Sequence, residues 1–169
     1  MPVLPDVLRH DLKVLFCGSA AGRVSAARGA YYAGPGNRFW PTLAATGLTP
    51  RLLQPEEFRL LPDFGLGLTD LTKEASGADQ DLPKGSDDPE ALRGKVRRYR
   101  PRMLAFVGKR PARIFLGRGC GYGLQESRLG GTGIFVLPSP SGLARRYWDE
   151  QRWHDLAGLA GQTCEEAQP

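Results

Sequence analysis

The feature that most constrains this chain is a set of short apolar runs separated by longer amphipathic stretches. Val14-Leu15-Phe16, Gly67-Leu68-Thr69-Asp70-Leu71, Met103-Leu104-Ala105-Phe106-Val107 and Ile134-Phe135-Val136-Leu137 read as strands. Runs this short with apolar flanks suit a buried, largely parallel sheet. Between them the sequence predicts helices. Asn37 is placed to cap one carrying Phe39, Trp40, Leu43 and Ala44, and Pro55-Glu56-Glu57 makes a first turn with acids near the positive helix end. Two more are expected from Pro89 to Tyr99 and from Tyr147 to Leu159. Strand alternating with helix implies an α/β three-layer sandwich, a short, mostly parallel central sheet flanked by helices. Its ligand site is expected beyond the carboxyl ends of the strands. The stretch from Glu74 to Pro89, crowded with Gly, Ser, Asp and Pro, is expected to be a loose insertion.

At 169 residues and 41% hydrophobic, the chain is expected to form one domain over residues 1–169. Lys plus Arg number 23 against 18 Asp plus Glu, a formal charge of +5, which suits nucleic acid and equally a merely basic soluble protein. Cys17, Cys120 and Cys164 include no Cys-x-x-Cys pair, so reduced thiols and no metal site are expected. No apolar run is long enough to span a bilayer and no secretory signal opens the sequence, so a cytoplasmic protein with no membrane partner is expected.

Two strand ends carry the candidate chemistry. Gly18-Ser19-Ala20-Ala21-Gly22 follows the first strand, and small residues there let backbone amides approach a ligand. A plain strand-to-helix connection fits the same residues. The following loop from Gly29 to Trp40 is rich in glycine and aromatic residues, one of which is placed to stack on a base. After the last strand, Pro138-Ser139-Pro140-Ser141-Gly142 stiffens and then releases the chain, leaving Leu143 at a tip before Arg145 and Arg146. An apolar wedge entering a base stack, with arginines on phosphates, fits this pattern. A leucine folded back onto the core as a helix staple fits it too. His10 and His154 fall outside both segments and read as surface residues.

Taken together, Leu15-Phe16-Cys17-Gly18, Asn37-Arg38-Phe39-Trp40, Gly108-Lys109 and Leu137 through Arg145 resemble the mismatch-specific uracil-DNA glycosylase and thymine-DNA glycosylase family of the uracil-DNA glycosylase superfamily. The resemblance runs from about Lys13 to Leu159. In that family the first loop normally reads Gly-Ile-Asn-Pro-Gly, with the asparagine positioning the attacking water; here that position is Ala20, flanked by Ser19 and Ala21. The resemblance implies that the strand ending at Asp70 passes the other side of the same pocket, which makes Asp70 the candidate base. Its alternative is a loop cap or a partner for Lys73.

The resemblance further implies that Tyr32 stacks on an extruded base, with Ser25 and Ser139 near the pocket. It implies that Gly142, Leu143 and Ala144 fill the vacated stack and read the widowed guanine. Arg145 and Lys109 are expected on the DNA. The implied activity is monofunctional excision of uracil, chiefly opposite guanine, from double-stranded DNA with mismatched or damaged bases. The first loop has no lysine for a lyase step, no cofactor is expected, and a monomer associated with the nucleoid through DNA is implied. Two other readings stay open: a lesion-binding module without catalysis, and an unrelated nucleotide-binding α/β enzyme. The second lacks both a Gly-x-Gly-x-x-Gly and a Walker motif.

Overall fold

The computed structural model describes residues 2–166, with side chains through residue 161; the side chain of Cys164 lies outside the described residues. The four apolar runs form β1 (Val14–Gly18), β2 (Leu66–Asp70), β3 (Met103–Val107) and β5 (Thr132–Leu137). Every residue of these strands is buried. Together with β4 (Gly123–Leu129) they make a five-stranded sheet in the order β2-β1-β3-β5-β4. β1 pairs in parallel with β2 and β3, and β3 with β5, whereas β4 runs antiparallel to β5. The chain is therefore the α/β, mostly parallel sandwich that the apolar runs imply.

Alternation along each buried strand divides the core in two. Val14, Phe16, Leu66, Leu68, Met103, Ala105 and Phe135 pack on one face with Phe39, Trp40, Phe58, Trp153 and Leu156. Leu15, Cys17, Leu104, Phe106, Ile134 and Val136 pack on the other with Leu92, Val96 and Ala112. The first face is covered by α2 (Phe39–Ala45), the 3-10 segment Pro55–Phe64 and α5 (Glu150–Glu166). The second is covered by α3 (Pro89–Tyr99) and α4 (Lys109–Leu116). Phe16 joins sheet to helices, edge-on to Phe39 at 5.3 Å and stacked on Trp153 at 6.0 Å. Each such fully buried side chain contributes about 1.5–3 kcal/mol.

Several expectations change. The segment opening at Pro55 is a 3-10 helix with an internal Pro62, which removes the i to i−4 hydrogen bond an α-helix needs. The last helix starts at Glu150, because a 3-10 turn at Arg145–Tyr147 and an extended Trp148 precede it. The stretch from Glu74 to Pro89 is not loose. Ser76 bridges to Ala21, the Gly77 amide donates to the Ala21 carbonyl at 2.9 Å, and Asp79–Asp81 forms a 3-10 turn. An additional edge also forms near the amino terminus, where Val7 and Leu68 exchange backbone hydrogen bonds of 2.9 Å.

Candidate active site

The carboxyl ends of β1, β2, β3 and β5 converge on a cleft of about 670 Å³. β1 has β2 on one side and β3 on the other, so the cleft lies where the strand order reverses, the usual place for a ligand in an open α/β sheet. Gly18 through Gly22, Ser25 and Tyr32 line one side, and Ser139, Gly142, Leu143 and Ala144 another. Gly77 to Asp81 adds a further wall. Most of the sequence-identified residues thus meet in one place.

Asp70 ends β2 directly across the pairing from Gly18, and its side chain is 5% exposed. A side chain at residue 18 would crowd it. A methyl group at residue 18 would lie 2.9 Å from Asp70 Oδ1 and 3.0 Å from the Tyr32 hydroxyl. Burial pushes the Asp70 carboxyl up from an ordinary 3.8 to about 6, against the opposing pull of Lys73. The carboxylate is therefore poised to exchange a proton near neutral pH. Lys73 Nζ stands 3.7 Å from Asp70 Oδ2, while it lies 3.0 Å from Asp6 Oδ1 and donates to the Tyr31 hydroxyl at 3.0 Å.

The first loop is held by backbone pairing that continues past the strands: the Leu71 amide donates to the Gly18 carbonyl at 3.0 Å and Thr72 to Ser19 at 2.8 Å. Ala20 offers no polar side-chain atom there. Ser25 sits in α1 (Arg23–Arg28), buried, and its hydroxyl accepts from the Ala33 amide at 3.0 Å. It anchors the loop that carries Tyr32. Tyr32 has φ +52, an uncommon value for a residue with a side chain, and its ring stacks on Phe39 at 4.0 Å. Its hydroxyl is buried without a hydrogen-bond partner, and burial together with the Asp70 charge pushes its pKa well up. Asn37 also lines the cleft, its Oδ1 accepting from the Phe39 amide at 2.9 Å; it serves the start of α2 although Arg38 is the residue next to the helix.

Leu143 is 91% exposed, so it does not fold back onto the core. Its loop is braced from below. The Ser141 hydroxyl accepts from the Leu143 amide at 3.2 Å, the Ser139 hydroxyl from the Ser141 amide at 3.3 Å, and the Pro140 carbonyl from the Arg38 amide at 2.9 Å. Gly142 packs so closely on the Tyr32 loop that a methyl group on it would lie 2.9 Å from the Pro35 carbonyl oxygen. Arg145 is exposed just beyond the tip.

Lys109, expected on the DNA, makes contacts within the protein. It lines the cleft at the start of α4, but its ammonium donates to the Cys120 carbonyl at 2.8 Å and lies over the Tyr122 ring, 4.5 Å from its centroid. Its charge is committed to holding the segment before β4. Arg110, next to it, pairs with Asp87 through hydrogen bonds of 3.1 and 2.9 Å. His10 is exposed, and His154 pairs with Glu150 on α5.

Asp6, Lys95 and the wall from Gly77 to Asp81 are the site-building residues that sequence reasoning missed. The segment before Lys13 offers no periodicity, and the polar wall has a loop's composition. Among the described residues no group of three or more His, Cys, Asp or Glu side chains is gathered as for a metal ion, and no helix is long and apolar enough to cross a membrane.

Comparison with known proteins adds two findings. The sequence model of the Uracil DNA glycosylase superfamily matches residues 5–157. The fold is similar to the solution NMR structure of a "putative Uracil DNA glycosylase" from Methanosarcina acetivorans. Identity is 25% and the TM-score 0.65, over 92% of this chain and 96% of that one.

Proposed function

The chain belongs to the uracil-DNA glycosylase superfamily, and from that footing we propose that it is a mismatch-specific, monofunctional uracil-DNA glycosylase of the thymine-DNA glycosylase kind, acting as a single domain and a monomer on duplex DNA in the cytoplasm. The observation that carries this reading is Asp70, a buried carboxylate at the cleft floor whose proton affinity is tuned by burial to near neutrality. In this reading Ala20 of the neighbouring first loop takes the place of the family's usual asparagine, and Asp70 supplies the missing polar group.

In this mechanism Leu143 enters the duplex and the uracil opposite guanine swings into the cleft, where Tyr32 packs against it. Backbone groups of Gly142 and Ala144 meet the widowed guanine, and Arg145 meets a phosphate. The bond between the sugar C1′ and the base nitrogen breaks first, leaving an oxocarbenium-like sugar and a uracil anion. Backbone amides of Gly18 to Gly22 stabilise the anion. Asp70 accepts a proton from water as the water oxygen bonds to C1′, and its charge also offsets that of the sugar. The proton taken up by Asp70 passes to the departing uracil anion, which leaves free uracil, an intact abasic site and the carboxylate restored.

The test is release of uracil from a duplex with a single uracil opposite guanine, at enzyme excess. Tight binding with no free uracil favours a lesion-binding module instead, since Tyr32 and Leu143 serve binding equally well.

A further inference from the structure

Behind Asp70 lies a cluster of four charges drawn from three separate parts of the chain. Asp6 comes from the amino-terminal edge, Asp70 and Lys73 from the end of β2 and the turn after it, and Lys95 from α3. Asp6 takes the short contacts. Its Oδ1 lies 3.0 Å from Lys73 Nζ and accepts from the Thr69 hydroxyl at 2.8 Å, and its Oδ2 lies 2.7 Å from Lys95 Nζ. Asp70 is left with the long one, 3.7 Å to Lys73. Backbone hydrogen bonds fix Asp6 where it is: Val7 and Leu68 exchange a pair of 2.9 Å, and the Val3 amide donates to the Lys73 carbonyl at 2.7 Å.

We propose that Asp6 is a positioning residue: by gripping Lys73 and Lys95 it keeps their ammonium groups from closing on Asp70 and leaves that carboxylate free to face the cleft. The proposal rests on the reading of Asp70 as the base. A fully ion-paired Asp70 would be a weak base, and an unpaired one with no cation near would stay protonated at neutral pH. Asp6 sets the intermediate condition. Burial opposes its ionisation, but the hydrogen bonds and positive charges of Lys95 and Lys73 together outweigh burial and hold its carboxyl below the ordinary value, so it remains an anion across the working range. The Asp6 charge also raises the Asp70 value directly. The remaining groups facing Asp70 are Cys17, Tyr31 and Tyr32, all pushed upward chiefly by burial, and they stay neutral through the same range.

Both effects of removing the Asp6 charge therefore share one sign. In Asp6→Asn the Lys73 ammonium closes on Asp70 and the repelling anion is gone, so the Asp70 titration moves to lower pH. The experiment uses the full chain and follows the Asp70 carboxyl carbon by NMR from pH 4 to 8, beside single-turnover uracil release from a uracil–guanine duplex. The expected result is a midpoint lower by about one pH unit, an acid limb of excision displaced equally, and excision slowed about threefold, and at most about tenfold, at neutral pH with duplex binding unchanged. Asp6→Glu restores part of the displacement. Lys73→Gln must move the Asp70 midpoint the opposite way, which keeps the idea testable if Asp6→Asn does not fold. An Asp70 midpoint that stays put in the folded variants overturns the proposal. A displaced midpoint in a protein whose wild type frees no uracil overturns the glycosylase reading alone and leaves the placement of the two ammonium groups standing.

Discussion

Replacing Asp70 by asparagine separates what the buried carboxylate does for chemistry from what it does to the fold. The folded protein holds the Asp70 proton with a value of about 6, against an ordinary 3.8, so about two pH units above the unfolded chain. At about 1.4 kcal/mol per pH unit this is about 3 kcal/mol. The sign follows from which state binds the proton more tightly. Measured against a group that never ionises, the carboxyl costs nothing well below about pH 4; the cost grows as pH rises from about 4 to about 6 and levels off above that at the full amount. Asparagine keeps the shape and never ionises.

Asp70→Asn is therefore expected to be more stable than wild type by about 1 kcal/mol near pH 4.5, and by up to about 3 kcal/mol at pH 7.5. In a chain of this size the larger figure is a rise of about 6–12 °C in Tm. Excision is expected to fall by about 10²–10⁴ at the same time. The assays are thermal melts at the two pH values and single-turnover uracil release. An asparagine variant that excises at the wild-type rate sinks Asp70 as the base. An equal change in Tm at both pH values refutes the buried-charge argument.

Three further substitutions probe the walls of the cleft. Leu143→Ala should leave Tm unchanged, because the side chain is 91% exposed, yet slow excision most for uracil paired with adenine, where opening the pair costs more; equal slowing for both pairs counts against a wedge. Tyr32→Phe removes a buried hydroxyl that has no partner and keeps the stack on Phe39, so stability should rise by about 1 kcal/mol in urea melts with excision within about twofold. Gly142→Ala drives a methyl into the Pro35 carbonyl and should displace the loop, slowing excision more than Leu143→Ala does. A Gly142→Ala variant with normal turnover would show that the loop tolerates the displacement.

The parts of the fold legible in the sequence are those where one physical demand dominates. β1, β2, β3 and β5 are covered on both faces, so their apolar runs stand out, and Asp88 with Pro89 marks the start of α3 by an ordinary cap, its carboxylate accepting from the Ala91 amide at 3.0 Å. β4 is an edge strand with polar, mostly exposed side chains, so hydrophobicity does not announce it. A turn signal does: Gly130-Gly131 between Leu129 and Thr132 is a two-residue hairpin loop. α4 is short and begins Lys109-Arg110-Pro111, which reads locally as a surface loop. Asp70 is singled out because it closes an apolar strand whose end the resemblance places at the pocket. Asp6 is not, because its contact with Thr69 spans 63 positions and no local pattern encodes it.

The close seat of Gly142 on Pro35 and Gly36, with the Arg38 amide bound to the Pro140 carbonyl, ties the tip that bears Leu143 to the loop that bears Tyr32. Under the proposed function this makes interrogating the duplex and accommodating the base a single cooperative event. A duplex that refuses the leucine also withholds the tyrosine from its target. Discrimination between good and poor base pairs is then exerted once, at the commitment to open, and the pocket receives only bases that have already passed that selection.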